Sequence, residues 1–180
     1  GDWHTAANWV ENAVPAAGDD VFITSAGVTS TLASSSAALN SLTLSGTLMF
    51  TNWNTKLNAV TVTIQSGGIM TCAGPFTDSA MSNNVYVSCA DLTVDAGGSI
   101  NVNGKGYAGG LVGLDGYGPG RGKGSASTGG GGGYGGFAAP GAVTWPSGGS
   151  PCGSAEYPYL PGSGGGGGNR NAGAGGGAVR

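Results

Sequence analysis

The sequence predicts an all-β protein: a right-handed parallel β-solenoid followed by an ordered glycine-rich region, with almost no helix. Three observations carry this expectation. Short runs of β-branched and aromatic residues recur up to residue 103, alternating apolar with Thr or Asn positions, the period that buries one face of a strand. Gly-containing corners of similar make-up separate these runs, and no segment sustains a capped helical period. From residue 104 the composition shifts, and most of the 40 glycines of the 180-residue chain fall in this second part.

The expected strands, in order, centre on Val21-Phe22-Ile23, Leu42-Thr43-Leu44, Thr47-Leu48-Met49-Phe50, Val60-Thr61-Val62-Thr63-Ile64, Val85-Tyr86-Val87, Leu92-Thr93-Val94 and Ile100-Asn101-Val102. Ala26-Gly27, Ser45-Gly46, Ser66-Gly67-Gly68 and Ala96-Gly97-Gly98 are the corners between them. Strand, Gly corner and second strand recur around Leu42, Val62 and Leu92, as in a repeat that buries its inner face only by stacking on its neighbours. An antiparallel sandwich is the competing architecture. The corners are short and alike and no Asn-Gly hairpin signal separates the strands, which favours the solenoid.

The organisation expected is therefore residues 1–103 as solenoid rungs with an N-terminal cap, and residues 104–180 as an extension packed on or continuing them. The extension holds unbroken glycine runs at 129–133 and 164–168, a composition that usually means a flexible linker. Aromatic residues spread through it argue for order instead. Gly116, Gly118, Gly120, Gly122 and Gly124 alternate with other residues, which predicts an extended strand with one bare face that another backbone can approach closely. Polyproline-II-like glycine helices are the other ordered option and call for a period of three, which the sequence does not sustain.

Composition excludes several classes. Charged residues are 8% and hydrophobic residues 39%, against the pattern of a disordered solvated chain. A net charge of −3 leaves no basic stripe for nucleic acid. No stretch reaches the roughly 18 apolar residues of a membrane helix. The chain opens without a Met or a leader and stops after Ala178-Val179-Arg180 without a turn signal, so a longer precursor is expected.

Chemistry-bearing patterns are few, and no catalytic or cofactor-binding residue is assigned. Gly104 to Gly109 spells G-x-G-x-x-G, but Gly110-Leu111-Val112-Gly113 follows where a helix is needed. Gly122-Lys123 is followed by Gly124, where a phosphate loop needs Ser or Thr. His4 is the only histidine; a Ser-His-Asp set with Asp2 or Asp19 lacks a nucleophile-elbow sequence. Among Asp78, Asp91, Asp95, Asp115 and Glu156 no spacing singles out a pair for glycoside chemistry. Asp19-Asp20 is a candidate contributor to a calcium site, with turn chemistry the competing role. The three cysteines allow at most one internal disulfide, and Cys72–Cys89 is the pairing expected, because both end β-like runs about one repeat apart. Ladders of Thr-x-Thr for ice binding are represented well only by Thr61-Val62-Thr63.

The opening Gly1-Asp2-Trp3, Ala7-Asn8-Trp9 and Val14-Pro15-Ala16-Ala17-Gly18-Asp19-Asp20-Val21-Phe22-Ile23 resembles a module that starts the β-helical repeats of large bacterial surface proteins of the autotransporter-adhesin type. The stretches from Leu92 to Gly110 and from Gly164 to Arg180 are likewise similar to glycine-rich bacterial β-helix proteins. The resemblance implies that Trp and Asn residues cap the first rung, that the location is extracellular or at the cell surface, and that no catalytic residue is present. The function expected is structural or adhesive: a subunit of a surface filament or matrix, or an adhesin segment, self-assembling head to tail. Trp3, Asn8 and Trp9 at one end, with Ile100 and Val179 elsewhere, are the expected capping and contact residues. The rival is a glycan-binding module with exposed Trp53, Trp145, Tyr157 and Tyr159 stacking on sugar rings. An ice-binding protein and a β-helix polysaccharide-degrading enzyme stand further back.

Overall fold

A computed structural model describes residues 1–25, 27–77, 81–141 and 147–180. The chain is all-β with almost no helix; a single 3-10 turn, Ala6–Asn8, is the helical element among the described residues. No helix of the described residues is long and apolar enough to cross a membrane. The chain divides into a strand unit, Gly1–Ala73 with Val85–Asn101 and Arg180, and a glycine-rich unit, Gly74–Asn84 with Val102–Val179. The expected division at 103/104 thus falls at Asn101/Val102, and a short earlier segment joins the glycine-rich part.

Among the described residues of the strand unit nine strands form: β1 (Asp20–Ile23), β2 (Thr29–Leu32), β3 (Ala38–Leu44), β4 (Thr47–Phe50), β5 (Leu57–Ile64), β6 (Ile69–Cys72), β7 (Val87–Ser88), β8 (Asp91–Val94) and β9 (Ser99–Ile100). They alternate between two sheets, and every pairing is parallel. Sheet one runs β1-β3-β5, with β7 and β8 both on β5; sheet two runs β2-β4-β6-β9. Val21, Leu42, Val62 and Leu92 share one register position, and Ile23, Leu44, Ile64 and Val94 the next inward one. Opposite them, Leu32, Phe50 and Cys72 align in sheet two and are fully buried. Parallel register turns the apolar alternation of each strand into continuous columns, which is why the period of two was readable in the sequence.

The corners hold as expected. Gly67 and Gly97 adopt left-handed backbone, at φ +82° and +89°, which a residue with a Cβ adopts only under strain. These corners stack, the Gly67 N–H donating to Gly97 O at 2.9 Å. Ala26 lies outside the described residues. Sequence patterning missed β2, Thr29-Ser30-Thr31-Leu32, because its one buried residue, Leu32, gives no alternation to read. The last expected strand starts one residue earlier, as Ser99–Ile100.

The glycine-rich unit is ordered by backbone hydrogen bonds, and no named strand lies in it among the described residues. Its centre is the run 162–168. The N–H groups of Gly164 and Gly167 donate to Tyr117 O and Leu114 O, those of Gly162 and Gly165 to Gly176 O and Gly173 O, and that of Gly166 to Gly130 O. In the other direction Gly162 O, Gly165 O and Gly168 O accept from Tyr107, Gly110 and Gly113. Partners advance by three residues on both sides, the repeat of polyproline-II-type segments lying side by side. No named strand forms over 116–124, but the close backbone approach expected of its glycines is found: at Gly116, Gly122 and Gly124 backbone from other segments lies where a Cβ would sit.

Candidate functional site

The first residues cap one edge of sheet two. Asp2 bridges Thr31 in parallel, the Trp3 N–H donates to Thr31 O at 2.9 Å, and the Thr31 N–H donates to Gly1 O at 2.8 Å. Trp3 is fully buried; Trp9 meets its ring edge-on at 5.0 Å and donates from Nε1 to Trp3 O at 2.7 Å. The Asn8 amide donates to Asp2 O at 2.8 Å. These residues close the chain's own β2 edge. Trp3, expected as a capping and contact residue, is thus buried within the cap. Of the other two contact residues, Ile100 is half-buried in β9 beside Met70, whereas Val179 is exposed and belongs to the glycine-rich unit.

Among the described residues sheet one carries no further strand beyond β1 or β8, whereas β7 is bonded to Arg180, the Val87 N–H donating to Arg180 O at 2.9 Å. At β1 a groove of about 670 Å³ runs along the outer edge, under the loop that leads from Trp9 to Pro15. At the far side Leu92 and Val94 continue the inward columns, yet they are 44% and 46% exposed where Val62 and Ile64 are buried. Complete burial of such a side chain is worth roughly 1.5–3 kcal/mol, so about 1 kcal/mol at each position is unrealised. β8 thus ends the core without closing it.

Chemical constellations are sparse. Ser34 Oγ lies 3.5 and 3.3 Å from His4 Nδ1 and Nε2, and Asp2 Oδ1 lies 3.9 Å from Nδ1. The fold thus adds Ser34, which sequence spacing missed, to Asp2 and His4. The arrangement does not make a nucleophile: the hydroxyl flanks both ring nitrogens, Asp2 Oδ1 already accepts the His4 N–H at 2.9 Å, and all three residues are exposed. Asp19 Oδ2 accepts the Ala16 N–H at 2.8 Å, and Asp20 Oδ1 accepts Ser41 Oγ–H at 2.6 Å and Asn40 Nδ2–H at 2.7 Å. The Ser41 and Asn40 bonds hold the Asp20 carboxyl below its usual range. These contacts are turn and strand-pairing chemistry, and no group of three or more metal-ligating side chains occurs among the described residues.

Cys72 and Cys89 are not joined. Cys72 is buried in sheet two beside Phe50, whereas Cys89 lies between β7 and β8 along sheet one, so their spacing in sequence does not bring them together. Burial, then the Asp91 charge, pushes the Cys89 thiol up, away from the reactive thiolate. Cys152, half-buried, faces Gly133 O at 3.4 Å and Ser163 Oγ at 3.5 Å.

Of the aromatic residues named for sugar stacking, Trp53 belongs to the strand unit and Tyr157 and Tyr159 to the glycine-rich unit. Trp53 is half-buried, with the Arg180 guanidinium 5.8 Å above its ring; the same guanidinium sits 4.7 Å over Tyr86. Tyr157 and Tyr159 are exposed in one loop, where the Tyr159 N–H donates to Tyr157 O at 2.9 Å. Trp145 lies outside the described residues. A hollow of about 610 Å³ in the glycine-rich unit, lined by Tyr117, Pro119, Thr77, Asp115 and Arg121, went unnoticed in the sequence. Asp115 there accepts from Lys123 Nζ at 2.7 Å and from the Gly124 N–H at 2.9 Å, and these bonds, with the Lys123 and Arg121 charges, hold its carboxyl below the usual range. Its residues come together only through backbone packing, so no local motif announces them.

Two parallel sheets with register-matched columns define the chain as an all-β protein. The chain belongs to the G8 domain family, whose match covers residues 8–108, more than half of its length. Comparison with curated proteins returned no match, and neither did comparison with solved structures.

Proposed function

We propose that the protein is an extracellular structural or adhesive component, built as a right-handed parallel β-solenoid and acting through its sheet edges. It serves as a subunit of a surface filament or matrix, or as a segment of an adhesin. The observation that carries this reading is the pair of inward columns that reach Leu92 and Val94 and stay uncovered there. An edge strand with an exposed apolar inner side is a template for further pairing. Low charge, 8% of residues, weakens the repulsion that keeps such edges apart. The adhesin-like opening of the sequence supports the surface location. The role needs no catalytic residue.

The test is light scattering and electron microscopy of the protein across a concentration series. Concentration-dependent association is expected, and Leu92→Lys with Val94→Lys abolishes it without unfolding the strand unit. Monomers at every concentration refute self-assembly and leave the adhesin-segment form of the reading. A glycan-binding role is a second reading, favoured by the hollow beside Tyr117, where an exposed ring adjoins Arg121 and Thr77. Saturable binding of a defined oligosaccharide that Tyr117→Ala removes is its signature.

A further inference from the structure

The β1 edge differs in kind from the β8 edge. β1 is the terminal strand of sheet one, with β3 on its other side, so the outward backbone groups of Asp20–Ile23 have no strand partner among the described residues. The groove beside it is of mixed lining, with the apolar Trp9, Val14 and Pro15 in its wall beside polar and acidic residues. Val10 is 94% exposed and Phe22 62%, a degree unusual for residues that line one concavity. An unpaired strand edge under an apolar rim is the geometry in which an extended segment adds as a further strand, backbone bonds giving affinity and alternate side chains giving selectivity.

Charge decides between occupants. Glu11, Asp19 and Asp20 line the groove, and no Lys or Arg does. The only Lys and Arg of the strand unit are Lys56 and Arg180, and both are placed over the Tyr86 ring. A second copy of the chain is a poor occupant. None of the nine strands contains a Lys or Arg, and Asp91 on the other open strand holds the same register position as Asp20. Pairing β8 of one copy on β1 of another would set Asp91 against Asp20, and like charges directly opposite destabilise a strand pair.

We propose that the β1 groove docks an extended segment of a different protein, one that alternates apolar side chains with Lys or Arg and adds to sheet one as a strand. Its apolar side chains continue the Val21 and Ile23 columns or pack against Phe22 and Val10, and its cations face Asp20 and Glu11. This site is separate from the β8 end on which the assembly reading rests, so each can fail without the other.

The experiment uses the full chain and two short synthetic peptides, one alternating valine with threonine and lysine, the other carrying glutamate in place of lysine. Binding is read by fluorescence anisotropy, and its location by hydrogen exchange at Asp20–Ile23. The lysine peptide is expected to bind at least about tenfold more tightly than its twin, about 1.4 kcal/mol, to slow exchange in β1, and to weaken with added salt. Phe22→Ser, at an exposed position, lowers its affinity by a similar factor, and Glu11→Lys narrows the preference between the peptides. Equal binding of the two peptides, binding that leaves β1 exchange unchanged, or no binding by either overturns the proposal. Concentration-dependent slowing of β1 exchange without peptide also overturns it, by making a second copy the occupant.

Discussion

The strand unit and the glycine-rich unit bury opposite materials. In the first, the centre is made of side chains: Leu42, Leu44, Val62, Ile64 and Phe50 are buried in columns fixed by parallel register. In the second, the centre is backbone: Gly164, Gly166 and Gly167 are buried, and the chain segments around them approach until their carbonyls occupy the space of a missing Cβ. The first gains order from the transfer of apolar area out of water. The second sets net hydrogen-bond gains of about 0.5–1.5 kcal/mol each against a backbone ordering cost of about 1–2 kcal/mol per residue. That balance is close to even, so apolar contacts such as the Phe76–Tyr107 pair, with ring centroids 4.7 Å apart, weigh heavily there. Glycine abundance therefore marks disorder only where segments have nothing of matching period to lie against.

The sharpest way to break this contrast is to add one methyl group at the glycine centre. In Gly164→Ala the new Cβ meets the Ala108 carbonyl and the Gly109 nitrogen, all of them backbone atoms, which cannot swing aside. We expect cooperative order of the glycine-rich unit to be lost, a cost above about 4 kcal/mol, while the strand unit's exchange protection persists. Retained protection through 106–176 would show that the glycines are not required by close approach.

A smaller effect separates the closed and open levels of the strand unit. Leu44→Ala removes a fully buried side chain and is expected to cost about 2–5 kcal/mol in denaturant titration. Leu92→Ala, one column over at the uncovered strand, is expected to cost about 1 kcal/mol or less in the monomer, since its side chain is already nearly half exposed. Equal losses would mean that β8 is covered.

The smallest effect is electrostatic. Asp115 is held below the ordinary carboxylate range in the folded state, so its contribution is present above the unfolded value of about 3.9 and fades as pH falls through the lower folded value. With the side chain 38% exposed, the worth is under about 1 kcal/mol. The stability difference between the protein and Asp115→Asn in the glycine-rich unit should thus be present at neutral pH and shrink as pH falls below the ordinary carboxylate range.

Legibility followed the same divide. Side-chain alternation made β1, β3, β5 and β8 readable, and Gly corners at 67 and 97 stood where the backbone turns left-handed. β2 was illegible because hydroxyl-bearing residues fill it and only Leu32 is buried. A hydroxyl column, Thr43, Thr63 and Thr93, follows from the repeat likeness around Leu42, Val62 and Leu92 and stands in register in sheet one. In the glycine-rich unit the three-residue advance is a relation between segments, and no single segment spells it. Trp3, Asn8 and Trp9 were legible as a cap but not as a cap turned inward, because burial depends on Thr31 and β2. Membership of the G8 domain family was not readable from motifs, since its matched stretch carries strand and corner residues but no chemical signature.

Residue-resolved hydrogen exchange of the native chain tests the central contrast most directly, through the run 164–168. All five of its N–H groups donate to backbone carbonyls of other residues: Tyr117, Gly173, Gly130, Leu114 and Arg170. Slow exchange there, comparable with that of Leu57–Ile64 in β5, is the predicted result. Exchange as fast as in an unstructured peptide would contradict a backbone-built centre and return the glycine-rich part to the status of a linker.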